Sequence, residues 1–436
     1  MNTADRNYRT NDLETVRRYL RNLQRTGVAE DSEPEVDEKG ISTKSIVESL
    51  YREYECTPTD DPEIVRRGVF RFHPVKEAER IRLAEDLIRR TDPGPLEIPQ
   101  FLTLLSYQAA SVESYLSGIF GADVRERLST ILLGTLQKPE VNATAHLSKR
   151  GYTIIAVNTG LVDLIIESAK AVIEASNPTR PADGRSATAH TSDLDEIVDG
   201  LRRNTEPIER VWKTLEACFF EGYPRSTRNE TIEEDHGPPF IMLVSMALRW
   251  VIAHEYGHSL ELDFSNITGK SGNHGEILRP GAHNAEWAKE FFADTQATII
   301  TVHSADNLDR LPPEFSLPGG IFTLACLDIL HRAYTILTTG NTKNLPESST
   351  HPPYRVRAEN TVDIFRQFFD VKYFEDNISD VSFVLRDRQP EQHSFSDERK
   401  NKAFLYANVL QNIRHYVEEI LKDQYLKKRP LHPMWR

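Results

Sequence analysis

The segment FIMLVSMALRWVIAHEYGH, residues 240–258, begins with the longest apolar run of the chain and ends in a pair of histidines. Pro238 and Pro239 come just before it, and proline suits the first turn of a helix. The apolar run contains Arg249 and is too short to cross a bilayer. We therefore predict a buried core helix over about 239–262.

The end of this segment, HEYGH, has the spacing of a zinc-binding helix. His254 and His258 are four residues apart, hence one turn apart on the same helix face, where two imidazoles can bind one zinc ion. Glu255 lies beside that face, where its carboxylate can take a proton from a water activated by the metal. Gly257 leaves room for a second helix to come close. The alternative is a pair of surface histidines, which the apolar run and the cost of burying Glu255 without a partner disfavour.

A catalytic zinc needs a third protein ligand and an open fourth position, and the segment EFFAD at 290–294 supplies a candidate. Glu290 and Asp294 lie four residues apart on one face of a predicted helix. We predict that Glu290 binds the metal and that Asp294 accepts the other N–H of a ligating histidine, His254 in the first place. Glu286 competes with Glu290 because it lies one turn away, and these acids could instead be solvated on an amphipathic helix.

Other candidate ligands fit less well. Asp263 follows His258 by only five residues on the same predicted helix, a spacing at which the two side chains do not easily reach one metal ion. His274 and His283 lie in a glycine-rich loop at 268–284, where solvent-facing histidines are the more common case. We predict that this loop is a lid over the site.

The two zinc motifs together resemble the gluzincin metallopeptidases, in which HExxH is followed by a helix carrying ExxAD. Two further segments resemble the M48 peptidase group: AVNTGLV at 156–162, upstream of the zinc motif, and THPPYRVR at 350–357, downstream of it. The strand and the zinc motif are widely separated, which indicates an insertion at about 177–237. The layout is also similar to that of cytoplasmic phage-exclusion peptidases of the Lit type.

This resemblance implies a substrate cleft beside the metal. Residues 152–158 would form the edge strand of the cleft, with an ordinary core strand as the alternative, and an extended substrate would bind the backbone of Ala156, Val157 and Asn158. His351 and Arg357 would stabilise the oxyanion or bind a substrate carboxylate. The alternative for these two residues is helix N-terminal structure, with Arg357 in a salt bridge.

The periodicity of apolar residues predicts an α+β fold that is mostly α, with a small sheet and a helical N-terminal region. GYTIIAVN at 151–158 supplies the strand, since it is β-branched and bounded by turn residues. The resemblance adds a zincin-like metallopeptidase core. Four regions are expected: a charged, partly flexible segment at 1–40, a helical region at 41–150, the peptidase domain at 151–375 and a C-terminal helical segment at 376–436.

Charge, cysteine content and the lack of long apolar runs limit the cellular location and the partners that we expect. The chain has 436 residues and a formal net charge of −13, which argues against a dedicated nucleic-acid binder because phosphate contacts need a basic face. The three cysteines, Cys56, Cys218 and Cys326, are far apart and form no CxxC pair, which indicates a reducing compartment. No apolar signal region and no membrane-spanning run are visible. We therefore expect a cytoplasmic protein without a membrane partner, and the sequence leaves the oligomeric state open.

These features predict a zinc-dependent metalloendopeptidase that hydrolyses a protein or peptide substrate, with Glu255 as the general base. A first alternative is a zinc-binding regulatory protein that keeps the same fold but cleaves little or nothing. The intact Glu255 speaks against it, because a pure binding site has no need of a base. A second alternative is a helical scaffold without metal, in which the motifs are coincidental.

Overall fold

A computed structural model gives the structure of the protein over residues 13–24, 74–92, 99–138, 140–147, 151–176, 194–221, 237–260, 285–305, 309, 313–341, 351–368 and 405–432. The described helices are, in chain order, α1 (13–24), α2 (Pro74–Thr91), α3 (Pro99–Phe120), α4 (Ala122–Leu128), α5 (Thr159–Ala175), α6 (Leu194–Arg203), α7 (Glu206–Glu216), α8 (Gly237–Leu260), α9 (Ala285–Ser304), α10 (Pro313–Thr339), α11 (Tyr354–Phe368) and α12 (Leu405–Leu426). The described strands are β1 (Ile131–Leu136), β2 (Ala143–Leu147) and β3 (Thr153–Asn158). The fold is mostly helical with one small sheet, which confirms the predicted α+β, mostly α class.

The three strands form one sheet in the order β1-β3-β2. β3 pairs in parallel with β1, from Ile131 opposite Thr153, and antiparallel with β2, from Leu147 opposite Thr153. The prediction that 152–158 is an edge strand is therefore wrong, because β3 is the central strand. Its continuous apolar run TIIAV is typical of a strand buried on both faces, and all six residues of β3 are buried.

The sheet lies between two layers of helices. On one face, Val16 and Leu20 of α1 pack against apolar side chains of β1 and β3, including Leu132 and Ile154. Gly134 of β1 admits the tip of Leu20, whose methyl carbons lie 2.9 Å from the position that a Cβ would take there. The other face joins the main core, which α3, α5 and α8 build.

Two of the three strands lie in the region 41–150, which we predicted to be helical. That prediction is right for α2 to α4 and wrong for β1 and β2. The short runs of these strands contain too few residues to show a clear period of two beside the long helical patterns that surround them. The predicted boundary at 150 also falls inside the sheet, so the N-terminal helices and the zinc-motif helix share one core.

Helix α8 is the centre of that core, as the apolar segment predicts. It packs against α3, α5, α9 and α10. Tyr256, which faces away from the histidines, is fully buried and donates a hydrogen bond to Glu113 of α3 at 2.7 Å. Arg90, near the end of α2, forms an ion pair with the same carboxylate at 2.9 Å. These contacts tie the zinc-motif helix to the N-terminal helices.

Among the described helices, one could span a membrane by its length and composition. The window Pro318–Thr339 of α10 is long and apolar enough to cross a bilayer, but 83% of it is buried inside the protein. A mostly buried apolar helix is what the core of a soluble fold also contains, so this window is weak evidence for a membrane span.

The remaining regions divide into parts that the structure describes and parts that it does not. The predicted insertion at 177–237 contains α6 and α7, and α7 packs against α5 and α12. The predicted C-terminal segment 376–436 contains α12, which packs against α10. The predicted lid at 268–284 lies outside the described residues, as do Asp263, His274 and His283.

Candidate metal centre

The two histidines of α8 face each other on one side of the helix. The Nε2 atoms of His254 and His258 lie 3.0 Å apart, with their rings nearly perpendicular at 88°. His254 is buried and His258 is partly exposed. Both nitrogen atoms therefore point to the same place at the edge of the core, as the four-residue spacing predicts.

Glu290 of α9 completes a triangle of donor atoms. Its Oε2 lies 3.6 Å from His254 Nε2, and its Oε1 lies 3.4 Å from His258 Nε2. Zinc bonds of about 2.0–2.1 Å at tetrahedral angles would place donor atoms about 3.3 Å apart, close to these separations. Glu290 Oε2 is buried without a hydrogen-bond partner, although the Arg357 guanidinium lies 3.3 Å from it, so this oxygen can still accept a ligand. The group His254, His258 and Glu290 could therefore hold a metal ion.

Glu286, the competing ligand, points elsewhere. Its side chain is 55% exposed and pairs with Lys289 at 2.9 Å. Glu290 lies one turn further along α9, on the buried face, with a side chain that is 11% exposed. The structure thus separates two glutamates that the sequence alone left in competition.

Asp294 lies behind His254, on the side away from the donor triangle. Its Oδ1 is 3.0 Å from His254 Nδ1, at an angle bent from that of a well-aligned hydrogen bond. A proton on Nδ1 that faces this carboxylate leaves the lone pair of Nε2 free for a metal. The position is the one predicted for Asp294.

Trp250 supports His254 from the preceding turn of α8. Its indole ring stacks on the imidazole, with ring centroids 5.5 Å apart at 22°. The indole Nε1 donates a hydrogen bond to Thr298 Oγ1 at 3.3 Å. Our sequence analysis did not single out Trp250, although its position four residues before His254 on the same helix face is a signal that could have found it.

Gly257 allows α8 and α9 to approach closely beside the donor atoms. A Cβ at this position would lie 3.1 Å from Ala293 Cα, tighter than an ordinary contact. The close crossing places the histidines opposite Glu290 and Asp294, which lie four residues apart on one face of α9. The predicted role of Gly257 is confirmed.

The last turn of α8, which carries His258, is held by hydrogen bonds at its end. Ser259 Oγ donates to the carbonyl oxygen of Glu255 at 2.9 Å. Arg127 of α4 donates to the carbonyl oxygens of Ser259, at 3.3 Å, and of Leu260. A cation at the C-terminal end of a helix stabilises these otherwise unpaired carbonyl groups.

Glu255 is buried next to the candidate metal ligands, with 5% of its surface exposed. Burial raises the pKa of its carboxyl group, while the positive charge of His254 and His258 opposes that rise. Within the described part of the chain, no group donates a hydrogen bond to this carboxylate. A raised pKa makes a carboxylate a stronger proton acceptor than it is in water.

Without a metal, the pKa values of His254 and Glu290 are shifted in opposite directions. Burial alone would lower the pKa of His254, but its contacts with Asp294 and Glu290 outweigh burial and raise that pKa to about 9. Burial would raise the pKa of Glu290, but both histidines hold it well below its usual range. Around neutral pH, the metal-free site thus holds a carboxylate beside a protonated imidazole.

Metal affinity is consequently expected to rise with pH. Below a pKa of about 9, His254 carries a proton that a metal must displace, so affinity should fall roughly tenfold for each pH unit below that value. Titration calorimetry of the metal-free protein with Zn²⁺, in two buffers of different ionisation enthalpy, measures the protons released. Release of about one proton at neutral pH is expected, and release of none would contradict the protonated His254. In Asp294→Asn the same release should occur only at lower pH.

His351 and Arg357 both reach the site but in different environments. His351 Nε2 lies 3.6 Å from Glu290 Oε1, and its side chain is 52% exposed, so it faces the opening of the site. Arg357 is buried, donates two hydrogen bonds to Asp294 at 2.9 and 2.7 Å, and lies 3.3 Å from Glu290 Oε2. For Arg357 the structure therefore favours the salt-bridge alternative over contact with a substrate.

Ala156, Val157 and Asn158 cannot bind an extended substrate as we predicted. Both edges of β3 are occupied, by β1 and by β2, and these three residues are buried. The described part of the sheet instead has β2 at the edge that packs against α8. Sequence reasoning missed β2, whose five residues ATAHL alternate apolar and polar side chains but include only one large apolar residue.

Comparison of the chain with protein-family models, curated proteins and solved structures found no match. The interpretation of the site therefore depends on the geometry and chemistry of the residues described above.

Proposed function

We propose that the protein is a zinc-dependent metalloendopeptidase with a zincin-like core formed by α8, α9 and the sheet. The observation that carries this proposal is the triangle of His254, His258 and Glu290 donor atoms with Glu255 buried beside it. Two imidazoles and one carboxylate are a ligand set typical of catalytic zinc, which keeps a fourth position open for substrate and water. A structural zinc site would have four protein ligands.

Glu255 is the general base of the proposed reaction. When bound, zinc would polarise the substrate carbonyl and lower the pKa of a water molecule in its open position. Glu255 accepts the proton of that water and passes it to the leaving amine as the peptide bond breaks. The position of Glu255, next to His254 in the chain and buried beside the donor triangle, is what suits it to this proton transfer.

His351 is the best-placed described residue to contact the substrate from the opposite wall. Burial lowers the pKa of His351 despite the nearby Glu290, so its imidazole is neutral at neutral pH. A neutral imidazole can donate one hydrogen bond to the oxyanion that develops on the scissile carbonyl. Its side chain is 52% exposed, so a substrate can reach the imidazole ring.

Strand β2 replaces β3 as the proposed docking edge for an extended peptide. Asn158 N donates to Asn142 O at 2.9 Å, so the alternating pattern of an antiparallel pair directs the backbone groups of Ala143, Ala145 and Leu147 away from β3. Those N–H and C=O groups can pair with a substrate backbone.

The opposite edge of the sheet is less available for strand addition. Along β1, the backbone N–H of Leu133 donates to Thr91 Oγ1, and the carbonyl oxygen of Thr135 accepts from the Gln24 side chain, both at 3.2 Å. All six residues of β1 are buried, whereas β2 is partly exposed. A protein or peptide substrate is thus expected on the β2 side, next to α8.

Zinc content is the measurement that tests this function. The purified wild type is expected to contain about one zinc ion per chain, as a single three-ligand site requires. Glu290→Ala should lose zinc, since it removes one of three ligands, while Glu286→Ala on the same helix should keep the wild-type content. Elemental analysis of the three proteins, after dialysis in the same zinc-containing buffer, gives the comparison.

A wild type without zinc, even after refolding with the metal, would contradict the enzyme and favour the metal-free scaffold. Equal zinc loss in both variants would instead indicate damage to α9 as a whole. The cytoplasmic location, and the absence of membrane and nucleic-acid partners, stay predictions that these metal measurements do not address.

A further inference from the structure

Arg357 bridges the two acidic side chains of α9 that serve the candidate metal centre. Its Nε and Nη2 donate to the two carboxylate oxygens of Asp294 at 2.9 and 2.7 Å, the paired geometry in which arginine binds carboxylates most strongly. Its Nη1 lies 3.3 Å from Glu290 Oε2. The guanidinium group thus contacts Glu290, a proposed metal ligand, and Asp294, which lies behind the proposed ligand His254.

The surroundings of Arg357 leave little room for a direct role in substrate binding. Its side chain is 5% exposed, and the ring of Tyr354, one turn earlier on α11, lies 5.9 Å from the guanidinium carbon. Each of the three guanidinium nitrogen atoms is within 3.3 Å of a carboxylate oxygen. A substrate carboxylate or oxyanion would have to displace a buried ion pair to reach it, at considerable cost.

Electrostatics explains why a cation is needed at this position. Asp294 and Glu290 are both carboxylates on one buried face of α9, where their mutual repulsion is only weakly screened. The positive charge of Arg357 lies against both carboxylates and offsets their repulsion, and its paired hydrogen bonds hold the Asp294 carboxylate 3.0 Å from His254 Nδ1. The rigid fork also fixes the plane of the Asp294 carboxylate, a constraint that the single ammonium group of lysine cannot supply.

We infer that Arg357 is a positioning residue of the metal centre, which acts through Asp294 to orient His254 and through Glu290 to orient the third ligand. This inference deepens the proposed function and rests on it. It departs from the prediction that Arg357 contacts the oxyanion or the substrate. It also explains how α11, distant in sequence from α8, stabilises the geometry of the two histidines.

Metal binding tests this inference without any substrate. Arg357→Lys keeps the charge but loses the paired hydrogen bonds, and Arg357→Gln keeps donors but loses the charge. We expect both to weaken Co²⁺ and Zn²⁺ affinity about 10- to 100-fold, as loss of a partner behind a metal ligand typically does. Affinity is measured by competition with a chelator, and the visible spectrum of the Co²⁺ protein reports the ligand geometry.

Arg355→Lys is the matched control, since Arg355 lies on the same helix, is 46% exposed and pairs only with Glu359 among the described residues. It should match the wild type in both affinity and spectrum. A second control combines Arg357→Lys with Asp294→Asn. If Arg357 acts through Asp294, the combined loss should be clearly smaller than the product of the two single losses.

Each outcome separates this inference from the proposed function. Wild-type protein that binds neither Co²⁺ nor Zn²⁺ contradicts the function itself. Wild-type protein that binds metal, together with folded Arg357 variants of unchanged affinity and spectrum, overturns the positioning role alone. The positioning role would also be overturned if the loss of metal affinity in the combined variant equalled the product of the two single losses. If Arg357→Gln melts below the assay temperature, Arg357→Lys decides the comparison.

Discussion

Glu255→Gln is expected to lower peptide-bond cleavage by about 10²- to 10⁴-fold, the usual contribution of a general base, and to leave zinc content unchanged. The side chain of Glu255 is not part of the donor triangle formed by His254, His258 and Glu290. Glutamine has nearly the same shape but cannot accept and return a proton. The substitution therefore removes the proposed chemistry while it preserves the metal centre.

The fold should tolerate this substitution well. No described group donates a hydrogen bond to the Glu255 carboxylate, so the substitution removes no hydrogen bond that the described residues supply. Burial raises the pKa of this acid in the folded state, so the charged form destabilises the fold above the pKa that the residue has when unfolded. The metal-free Glu255→Gln protein should accordingly melt at the same temperature as the wild type or higher at neutral pH.

Cleavage by Glu255→Gln can be followed with mixed peptide libraries and mass spectrometry, beside zinc analysis of the same samples. Glu286→Gln serves as the matched control, because it is the same change at an exposed acid on α9. A variant that cleaves as fast as the wild type would contradict the role of Glu255. Retained cellular function despite lost cleavage would favour the zinc-binding regulatory alternative.

Gly319→Ala is expected to reduce the stability of the fold by about 3 kcal/mol or more, at the upper end of overpacking effects. A Cβ at Gly319 of α10 would lie 2.5 Å from the carbonyl carbon of Met246 and 2.7 Å from its oxygen on α8. Neither helix can relieve such a contact by rotating a side chain, because the atoms it meets are backbone. The helices would have to move apart.

The consequence should extend to the metal centre. Gly320, the next residue, lies against the indole of Trp250, where a Cβ would be 2.6 Å from Nε1. Trp250 in turn stacks on His254. A shift of α10 that makes room for the methyl group at 319 would therefore disturb the support of one histidine, and zinc affinity should fall together with stability.

Gly118→Ala is the matched control for this experiment. Gly118 is also helical, but no atom lies within 4 Å of the position of an added Cβ. Alanine there should raise stability by about 1 kcal/mol, since glycine is a poor helix former. Thermal and urea unfolding of both variants give the comparison, and a Gly319→Ala protein as stable as wild type would contradict the close helix contact.

Local periodicity explains the part of the site that was visible in the sequence. His254 and His258, and likewise Glu290 and Asp294, are pairs at four-residue spacing, and such spacing places side chains on one helix face whatever the rest of the chain does. The helix of the apolar segment was predicted at 239–262 and observed at Gly237–Leu260. Four-residue spacing alone does not separate Glu290 from Glu286, which lies one turn away on α9, and the preference for Glu290 came from the ExxAD motif.

Non-local pairing explains the errors. The run TIIAV predicts a strand, and β3 is that strand, but no feature of the run states whether one or two neighbours pair with it. The neighbours β1 and β2 are short. β1 pairs directly with β3 although β2 lies between them in the sequence, so the order β1-β3-β2 is a property of the folded sheet. The edge of the sheet was consequently assigned to the wrong strand.

Taken by itself, the sequence determined the zinc-motif helix, the candidate ligands and the α+β class, since each depends on side chains a few residues apart. The tertiary structure places Glu290, the glutamate that the sequence already favoured over Glu286, at the histidines, and it alone decided that β2 forms the edge beside α8. It also decided that Arg357 binds Asp294, 63 residues away in the chain, rather than the surface of the cleft. The physical reason is that helix geometry is set by neighbouring residues, whereas these contacts depend on how whole helices and strands pack against one another.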